Sequence, residues 1–181
     1  DTITIDNHEG ATAMVRHLVQ RGHRRIAMIT GPERNYDAAE RLRGYRSALD
    51  DAGIAQDPAL VLTGDFSELS GHRAARALLA LDPRPTAIFA ANDSMAIGAL
   101  SALREHGLRV PEDIAVAGFD DIPMARYMNP PLSTVHVDIS KLGERATTLL
   151  LSSLQNADRP RQQLQLSTNL VIRSSCGGPV S

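Results

Sequence analysis

Cysteine, aromatic residues and excess charge of either sign are all scarce in this chain of 181 residues. Its single cysteine, Cys176, excludes a disulfide framework within the chain. The formal net charge of −2 argues against a nucleic-acid-binding module, because neutralising phosphates requires a clustered positive excess. The densest basic run, RGHRR at residues 21–25, is interpreted as a solvated turn that leads into a strand.

Sequence motifs for membranes, cofactors, metals and covalent catalysis are also missing. No apolar stretch approaches the length of a membrane span, and the opening DTITIDNHEG lacks the pattern of a signal peptide. Neither GxGxxG after a strand nor GxxxxGK[ST] is present, and the six histidines show no metal-ligand spacing. No GxSxG elbow nominates a nucleophile. We therefore expect no cofactor, no metal site, no membrane association and no enzymatic activity.

Strand-like and helix-like hydrophobic periods alternate along the chain. An opening strand and helix are followed by short apolar strands at RIAMIT, ALVLTG, AIFAA and IAVAG, with amphipathic helices between them. Strand–helix steps repeated in this way imply a parallel sheet with helices on both faces. The predicted fold class is therefore α/β, and residues 24–131 are predicted to form a doubly wound lobe.

The strand–helix pattern restarts after Pro130 and Pro131. STVHVD indicates a strand, ISKLGERATTLLLSSLQ a helix, and QLQLSTNLVIR one or two further strands. The two prolines are interpreted as the point where the chain leaves the first sheet, because proline has no amide to donate. Together with the opening strand and helix, this segment provides too few strands for a stable second lobe. We expect the amino-terminal lobe to be incomplete and the chain to be a fragment.

Polar and aromatic side chains follow the strands of the predicted doubly wound lobe. Open parallel sheets bind ligands outside the carboxyl ends of their strands. The residues found there are Arg41, Phe66, Asn92 and one carboxylate of the pair Asp120 and Asp121, one after each strand in turn. A ring that covers an apolar face, beside a guanidinium, an amide and a carboxylate, suits a neutral and hydroxyl-rich ligand.

Each of these side chains also has a structural alternative. The guanidinium can pair on a solvated helix, and the ring can belong to the core. Asp93 is expected to cap the following helix, which leaves Asn92 for the ligand. Strand alternation points Asp120 and Asp121 in opposite directions, so that only one of them faces the ligand and the other is expected to stabilise the next turn. The shared position on one sheet edge favours the binding role.

Several segments resemble the effector-binding core of LacI/GalR-type transcriptional regulators, and the resemblance runs along nearly the whole chain. They include ERLRGYRSAL, GDFSELSGHRAA, AANDSMAIGAL, GLRVPEDIAVAGFDD and PPLSTVHVDISKLGERA. The resemblance implies a periplasmic-binding-protein-like fold, in which three crossovers join two α/β lobes around an effector. It implies effector contacts at Arg41, Phe66, Asn92 and Asp120, while Val137 stands where the family often has a polar residue.

The same resemblance implies a domain arrangement. Crossovers are expected near residues 22–24, 132–135 and 163–165. The expected parts are a partial amino-terminal lobe (residues 1–22 and 133–163), a carboxy-terminal lobe (residues 24–131 and 165–173) and a flexible tail (residues 174–181). The helix-turn-helix of the family is expected to be missing, so that operator DNA would be bound only by the parent protein.

The resemblance therefore predicts the effector-sensing region of a bacterial, cytoplasmic transcriptional regulator that binds a sugar or related metabolite. It predicts a homodimer, with SMAIGALSALREHG and the stretch around Tyr127 at the interface. Two alternatives stay open. One is a periplasmic sugar-binding protein of a transporter, and the other is an α/β enzyme that uses Asp120 and Asp121 as acid and base.

Overall fold

The computed structural model describes residues 1–156 and 159–177, which alternate between strands and helices. In chain order the elements are β1 (Thr2–Ile5), α1 (Asn7–Gln20), β2 (Ile26–Thr30), α2 (Tyr36–Asp51), β3 (Val61–Thr63), α3 (Glu68–Leu79), β4 (Ala87–Ala90), α4 (Asp93–Glu105), β5 (Ala115–Ala117), β6 (Thr134–His136), α5 (Ile139–Gln155), β7 (Gln163–Leu166) and β8 (Asn169–Val171). Short 3-10 helices form at Pro58–Leu60, Pro123–Tyr127 and Ser174–Cys176. None of the helices in this part of the chain is long and apolar enough to cross a membrane.

Four parallel strands form the main sheet, in the order β3-β2-β4-β5. β2 and β4 lie at its centre, and every residue of both strands is buried. Their uninterrupted apolar sequences are typical of strands that helices cover on both faces. α1 packs against α2, and α3 packs against α4, so that one helix pair covers each face. The predicted α/β, doubly wound lobe is confirmed.

Two further strands extend this sheet beyond β5. Gly118 N donates to Ser133 O at 2.9 Å and Asp120 N donates to Val135 O at 2.8 Å, which places β6 parallel to the β5 segment. β8 then pairs antiparallel with β6. The prediction that the chain leaves the sheet at its two adjacent prolines is wrong, because the chain re-enters the same sheet directly after them.

α1 belongs to this larger lobe. Ala11, Met14, Val15 and Leu18 are fully buried in the core that also contains the β2 side chains. The prediction that residues 1–22 lie in the amino-terminal lobe is therefore wrong for α1. An apolar stripe shows that a helix has a buried face, but it does not specify which neighbour covers that face.

β1, β7 and α5 form a smaller unit. β1 pairs in parallel with β7, and α5 packs on β1. The chain passes between this unit and the larger lobe after β1, after β6 and after β7. These passages lie at residues 6, 137–138 and 167–168, instead of the predicted 22–24, 132–135 and 163–165. Residues 133–137 consequently belong with the larger sheet, and residues 165–166 with the smaller one.

The predicted flexible tail begins with a packed segment. Ser175 and Cys176 are buried, and Ser175 Oγ donates to Val116 O at 2.6 Å. The tail prediction is wrong for residues 174–177, because small polar side chains there find partners on the sheet. Residues 178–181, the rest of that predicted tail, lie outside the described residues.

Candidate functional site

The carboxyl ends of β2, β3, β4 and β5 meet at one edge of the main sheet, and the four predicted binding residues lie there. Arg41 projects from α2, Phe66 precedes α3, Asn92 precedes α4 and Asp120 follows β5. Arg41 forms an ion pair with Asp120, and the Asn92 side chain binds the Phe66 backbone. The strand-end rule thus brings together side chains that are far apart in sequence.

Arg41 is a buried guanidinium that the protein holds on several sides. Its Nε donates to Asn7 Oδ1 at 2.8 Å, one terminal nitrogen donates to Ala91 O, and the group stacks 3.8 Å from the centre of the Phe119 ring. The same terminal nitrogen lies 3.4 Å from Asp120 Oδ1. Burial lowers the pKa of Arg41, and the Asp120 carboxylate opposes that shift. The alternative of a solvated helix residue does not describe Arg41.

Asp120 presents a partly open carboxylate beside this guanidinium. Its side chain is 34% exposed, which leaves room for a ligand. Burial raises the pKa of Asp120 to about 6, although Arg41 favours the ionised form. The backbone φ of Asp120 is 112°, a strained value that is held by its hydrogen bond to the neighbouring strand. Strained residues that the surrounding structure fixes in this way cluster at functional sites.

The adjacent carboxylate, Asp121, is tied into the structure. It accepts a hydrogen bond from an Arg173 terminal nitrogen at 2.7 Å and pairs with His136 Nδ1 at 3.0 Å. Its side chain is 10% exposed. Asp121 thus joins the loop after β5 to β6 and to the segment after β8. The prediction that Asp121 stabilises the next turn is wrong in its partner, because Asp121 binds β6 and the segment after β8, while Ile122 N donates to Asp93. The two neighbouring carboxylates point to different partners.

Asn92, and not Asp93, caps α4. Asn92 Oδ1 accepts from Met95 N at 2.9 Å, while its Nδ2 donates to Phe66 O at 3.0 Å. The prediction that assigned the cap to Asp93 is therefore wrong. Asn and Asp are equally good cap residues and stand side by side here, so the sequence alone does not distinguish them. Each polar end of Asn92 already has one protein partner, and each retains one further hydrogen-bonding position.

Asp93 is a buried carboxyl group beneath the exposed site. It accepts from Thr134 Oγ1 at 2.6 Å and from Ile122 N at 2.9 Å. Burial raises the pKa of Asp93 to about 7, against the effect of these two hydrogen bonds. Asp93 therefore links the start of α4 to β6 and to the loop that carries Asp120.

The Phe66 ring lies at the rim of the same edge. It packs against the backbone of Gly31, where β2 ends, and it also contacts the hydrophobic core. Its backbone φ is 69°, so that Phe66, like Asp120, occupies a conformation that non-glycine residues rarely adopt. The ring is only partly buried, and this leaves apolar surface at the strand edge.

The predicted set omits Asn7 and Asp37. Asn7 Nδ2 donates to Asp37 Oδ1 at 2.8 Å, and Asn7 Oδ1 accepts from Arg41. Asn7 is the second residue after β1, and β1 lies outside the main sheet, so the strand-end rule applied to that sheet does not find it. Asp37 carries no such signal, because its role depends on the contact with α1.

A cleft of about 580 Å³ separates the start of α2 from the β1–β7 pair. Its lining residues are Thr2, Thr4, Tyr36, Gln163, Leu164 and Gln165. Tyr36 immediately precedes Asp37, whereas Arg41, Phe66, Asn92 and Asp120 are not among the lining residues. Among the described residues, no group of three or more His, Cys, Asp or Glu side chains is arranged to hold a metal ion.

Known proteins are similar to this chain in sequence and in fold. The periplasmic binding protein-like domain family matches residues 15–176. The HTH-type transcriptional repressor PurR of Aliivibrio fischeri is 39% identical over 177 residues, which cover 97% of this chain and 52% of the repressor. The chain therefore spans about half the length of the curated relatives that it matches.

Solved structures with the same fold include two sugar complexes. The transcriptional regulator CelR in complex with cellobiose has a TM-score of 0.92 and 41% identity, with 96% of this chain and 53% of that chain covered. A LacI family transcriptional regulator from Enterococcus faecium with bound ribose has a TM-score of 0.91 and 31% identity, with 97% and 65% covered. This chain belongs to the periplasmic binding protein-like domain family, and it corresponds to the effector-binding region of LacI-type transcriptional regulators.

Proposed function

We propose that this chain senses a small effector and dimerises within a cytoplasmic, LacI-type transcriptional regulator, and that the effector is a sugar or related metabolite. The observation that carries the proposal is the Arg41–Asp120 pair, in which the protein holds a buried guanidinium beside a carboxylate side chain that is 34% exposed. The relatives are regulators rather than enzymes, and we propose that this chain likewise has no catalytic activity.

Each of the four side chains at the strand edge makes a different contact with the ligand. Asp120 accepts hydrogen bonds from ligand hydroxyls, and Arg41 donates to a ligand oxygen. Phe66 covers an apolar face of the ligand, and Asn92 uses its remaining hydrogen-bonding positions. Hydrogen bonds to charged groups contribute roughly 1.5–3 kcal/mol each, so Asp120 and Arg41 provide most of the affinity. The relatives bound to cellobiose and to ribose support a sugar-like ligand.

Exposed apolar side chains support the proposed homodimer. Leu69, Met124 and Tyr127 are 57%, 55% and 75% exposed. A groove of about 400 Å³ along α4 is lined in part by Ile97, Leu100 and Met128, the residue after Tyr127. Exposed apolar surface of this kind marks protein–protein contacts. We propose that a second copy of the chain covers it, as the SMAIGALSALREHG segment and Tyr127 predict.

The effector would act through the relative orientation of the two units. A ligand shifts such an equilibrium only through its different affinity for the two arrangements. In the full-length regulator, the orientation would control how a helix-turn-helix domain binds operator DNA. The alternative of a periplasmic transport protein is disfavoured because the curated relatives are transcriptional repressors.

A thermal-shift screen of the full-length protein tests this function. The panel contains pentoses, hexoses and disaccharides, including ribose and cellobiose, together with nucleobases. A ligand at 100 times its Kd stabilises the folded state by about 2.7 kcal/mol, which raises the melting temperature by several degrees. We expect at least one sugar to do so and to change binding to an operator fragment. Stabilisation by nucleobases alone, or by no compound, would contradict the sugar proposal.

A further inference from the structure

The orientation of Arg41 is set from outside its own helix by a buried amide. Asn7 is 1% exposed and lies at the first residue of α1. Its Oδ1 accepts from Arg41 Nε at 2.8 Å, and its Nδ2 donates to Asp37 Oδ1 at 2.8 Å. The three side chains thus form a short chain of hydrogen bonds that ends at the ligand-facing guanidinium.

An amide is suited to this place because its two neighbours need opposite partners. The Asp37 carboxylate only accepts hydrogen bonds, and the Arg41 guanidinium only donates them. Asn7 supplies one donor and one acceptor at the correct ends and adds no charge. A carboxylate at position 7 keeps the bond to Arg41, but it faces the Asp37 carboxylate with like charge and no proton to share.

Asn7 lies directly after the passage between the two units. The preceding residue, Asp6, donates its backbone N–H to Leu166 O of β7 at 2.8 Å. The other groups that hold Arg41, namely Ala91 O, the Phe119 ring and Asp120, come from segments of the larger lobe that are far from this passage in sequence. One of the groups that hold the guanidinium is therefore next in sequence to the passage from β1.

We propose that Asn7 is a positioning residue for effector binding, an inference that rests on the function proposed above. Its amide fixes Arg41 so that Arg41 and Asp120 act on the ligand together, while Asn7 itself is too buried to touch the ligand. Affinity then depends on the order of donors and acceptors from Asp37 through Asn7 to Arg41. Exchanging the side chains of positions 7 and 37 preserves that order, because an amide at position 37 donates to a carboxylate at position 7, which in turn accepts from Arg41.

The test is an exchange experiment in the full-length protein, with ribose and cellobiose as calorimetric probes. We expect Asn7→Asp to weaken binding of a probe by about tenfold or more. The double variant Asn7→Asp with Asp37→Asn should bind within about threefold of the native protein. A native affinity in the single variant, or no recovery in the double variant, overturns the proposal. A purely structural role would change the melting temperature without this pattern of loss and recovery.

A second readout needs no ligand. In nitrogen-15 NMR, the Arg41 Nε–H signal should exchange slowly with water in the native protein and rapidly in Asn7→Ala. Asn35→Ala is the matched control, since Asn35 Oδ1 accepts from Ala38 N at 2.9 Å as a helix cap. That control should keep the Arg41 signal. If no sugar of the thermal-shift panel binds the native protein, the sugar proposal fails, while an unchanged Arg41 signal in Asn7→Ala overturns the positioning role.

Discussion

The two units of the chain follow the same strand–helix pattern but bury it to different extents. In the larger lobe, every residue of the central strands β2 and β4 is buried. In α5, all of whose residues are described, Leu149 is the single buried one. Leu150, Leu151 and Leu154 of the same helix are 53–74% exposed. Hydrophobic periodicity therefore identifies the face that requires a partner, but not whether the chain contains that partner.

The comparison also explains where the candidate site is. In the larger lobe, helices cover both faces of the sheet, and such a framework can hold strained residues such as Phe66 and Asp120. In the smaller unit, two strands and one helix bury little apolar area. The smaller unit adjoins the described site at Asp6, the residue before Asn7, whose backbone N–H donates to Leu166 O.

The largest expected effect comes from truncating a buried apolar side chain in the larger lobe, and it is compared with truncation of an exposed one in α5. Phe89 is fully buried, whereas Leu154 is 74% exposed. Phe89→Ala should lower the free energy of unfolding by about 3–5 kcal/mol, because it removes core contacts and leaves a cavity. Leu154→Ala should change it by no more than about 0.5 kcal/mol. Denaturant titration of the 181-residue chain measures both variants.

Equal losses for the two variants would contradict the difference in packing between the two units. They would show that α5 is packed in solution as tightly as β4 is. A loss confined to Phe89→Ala would instead assign the stability of the chain to the larger lobe.

A smaller effect is expected from pH, and it should come from the larger lobe. Burial raises the pKa of Asp120 to about 6. Ligand hydroxyls donate to the ionised carboxylate, so affinity is complete above that pKa and is lost as the pH falls through it. Between pH 7 and pH 5 the ionised fraction falls from about 0.9 to about 0.1, which weakens binding about tenfold. Calorimetry at the two pH values, with an effector found by the thermal-shift screen, measures this change.

Asp120→Asn is the control for the pH effect, since an amide does not titrate. Its residual affinity should be nearly the same at both pH values. An effector affinity that is flat from pH 7 to pH 5 in the native protein would show that Asp120 does not accept the ligand's hydrogen bonds.

Much of this molecule follows from its sequence. Apolar runs such as IAMIT and AIFA specify buried parallel strands, because each is short, continuous and followed by an amphipathic helix. The strand-end rule then places Arg41, Phe66, Asn92 and Asp120 at one edge without any knowledge of their contacts. These predictions succeed because they depend on local periodicity and on the geometry of parallel sheets.

The remaining features depend on contacts between distant segments. The apolar stripe of α1 does not indicate that α2 will cover it. Asn92 and Asp93 are both good cap residues, and only the surrounding polar groups decide which one caps α4. Asn7 and Arg41 are 34 positions apart, so no local pattern relates them.

We propose that Asp120 binds the effector while Asp121 maintains the structure. One calorimetric comparison in the full-length protein tests this division of roles. Asp120→Asn should weaken effector binding roughly 10- to 100-fold, because it removes charge-assisted hydrogen bonds. It should lower the melting temperature less than Asp121→Asn does, because the Asp120 side chain is 34% exposed and Arg41 keeps Asn7 and Ala91 as hydrogen-bond partners. Asp121→Asn should lower the free energy of unfolding by about 3 kcal/mol, because Arg173 loses its charged partner, and should keep the affinity within about threefold. Native affinity in Asp120→Asn would contradict the claim.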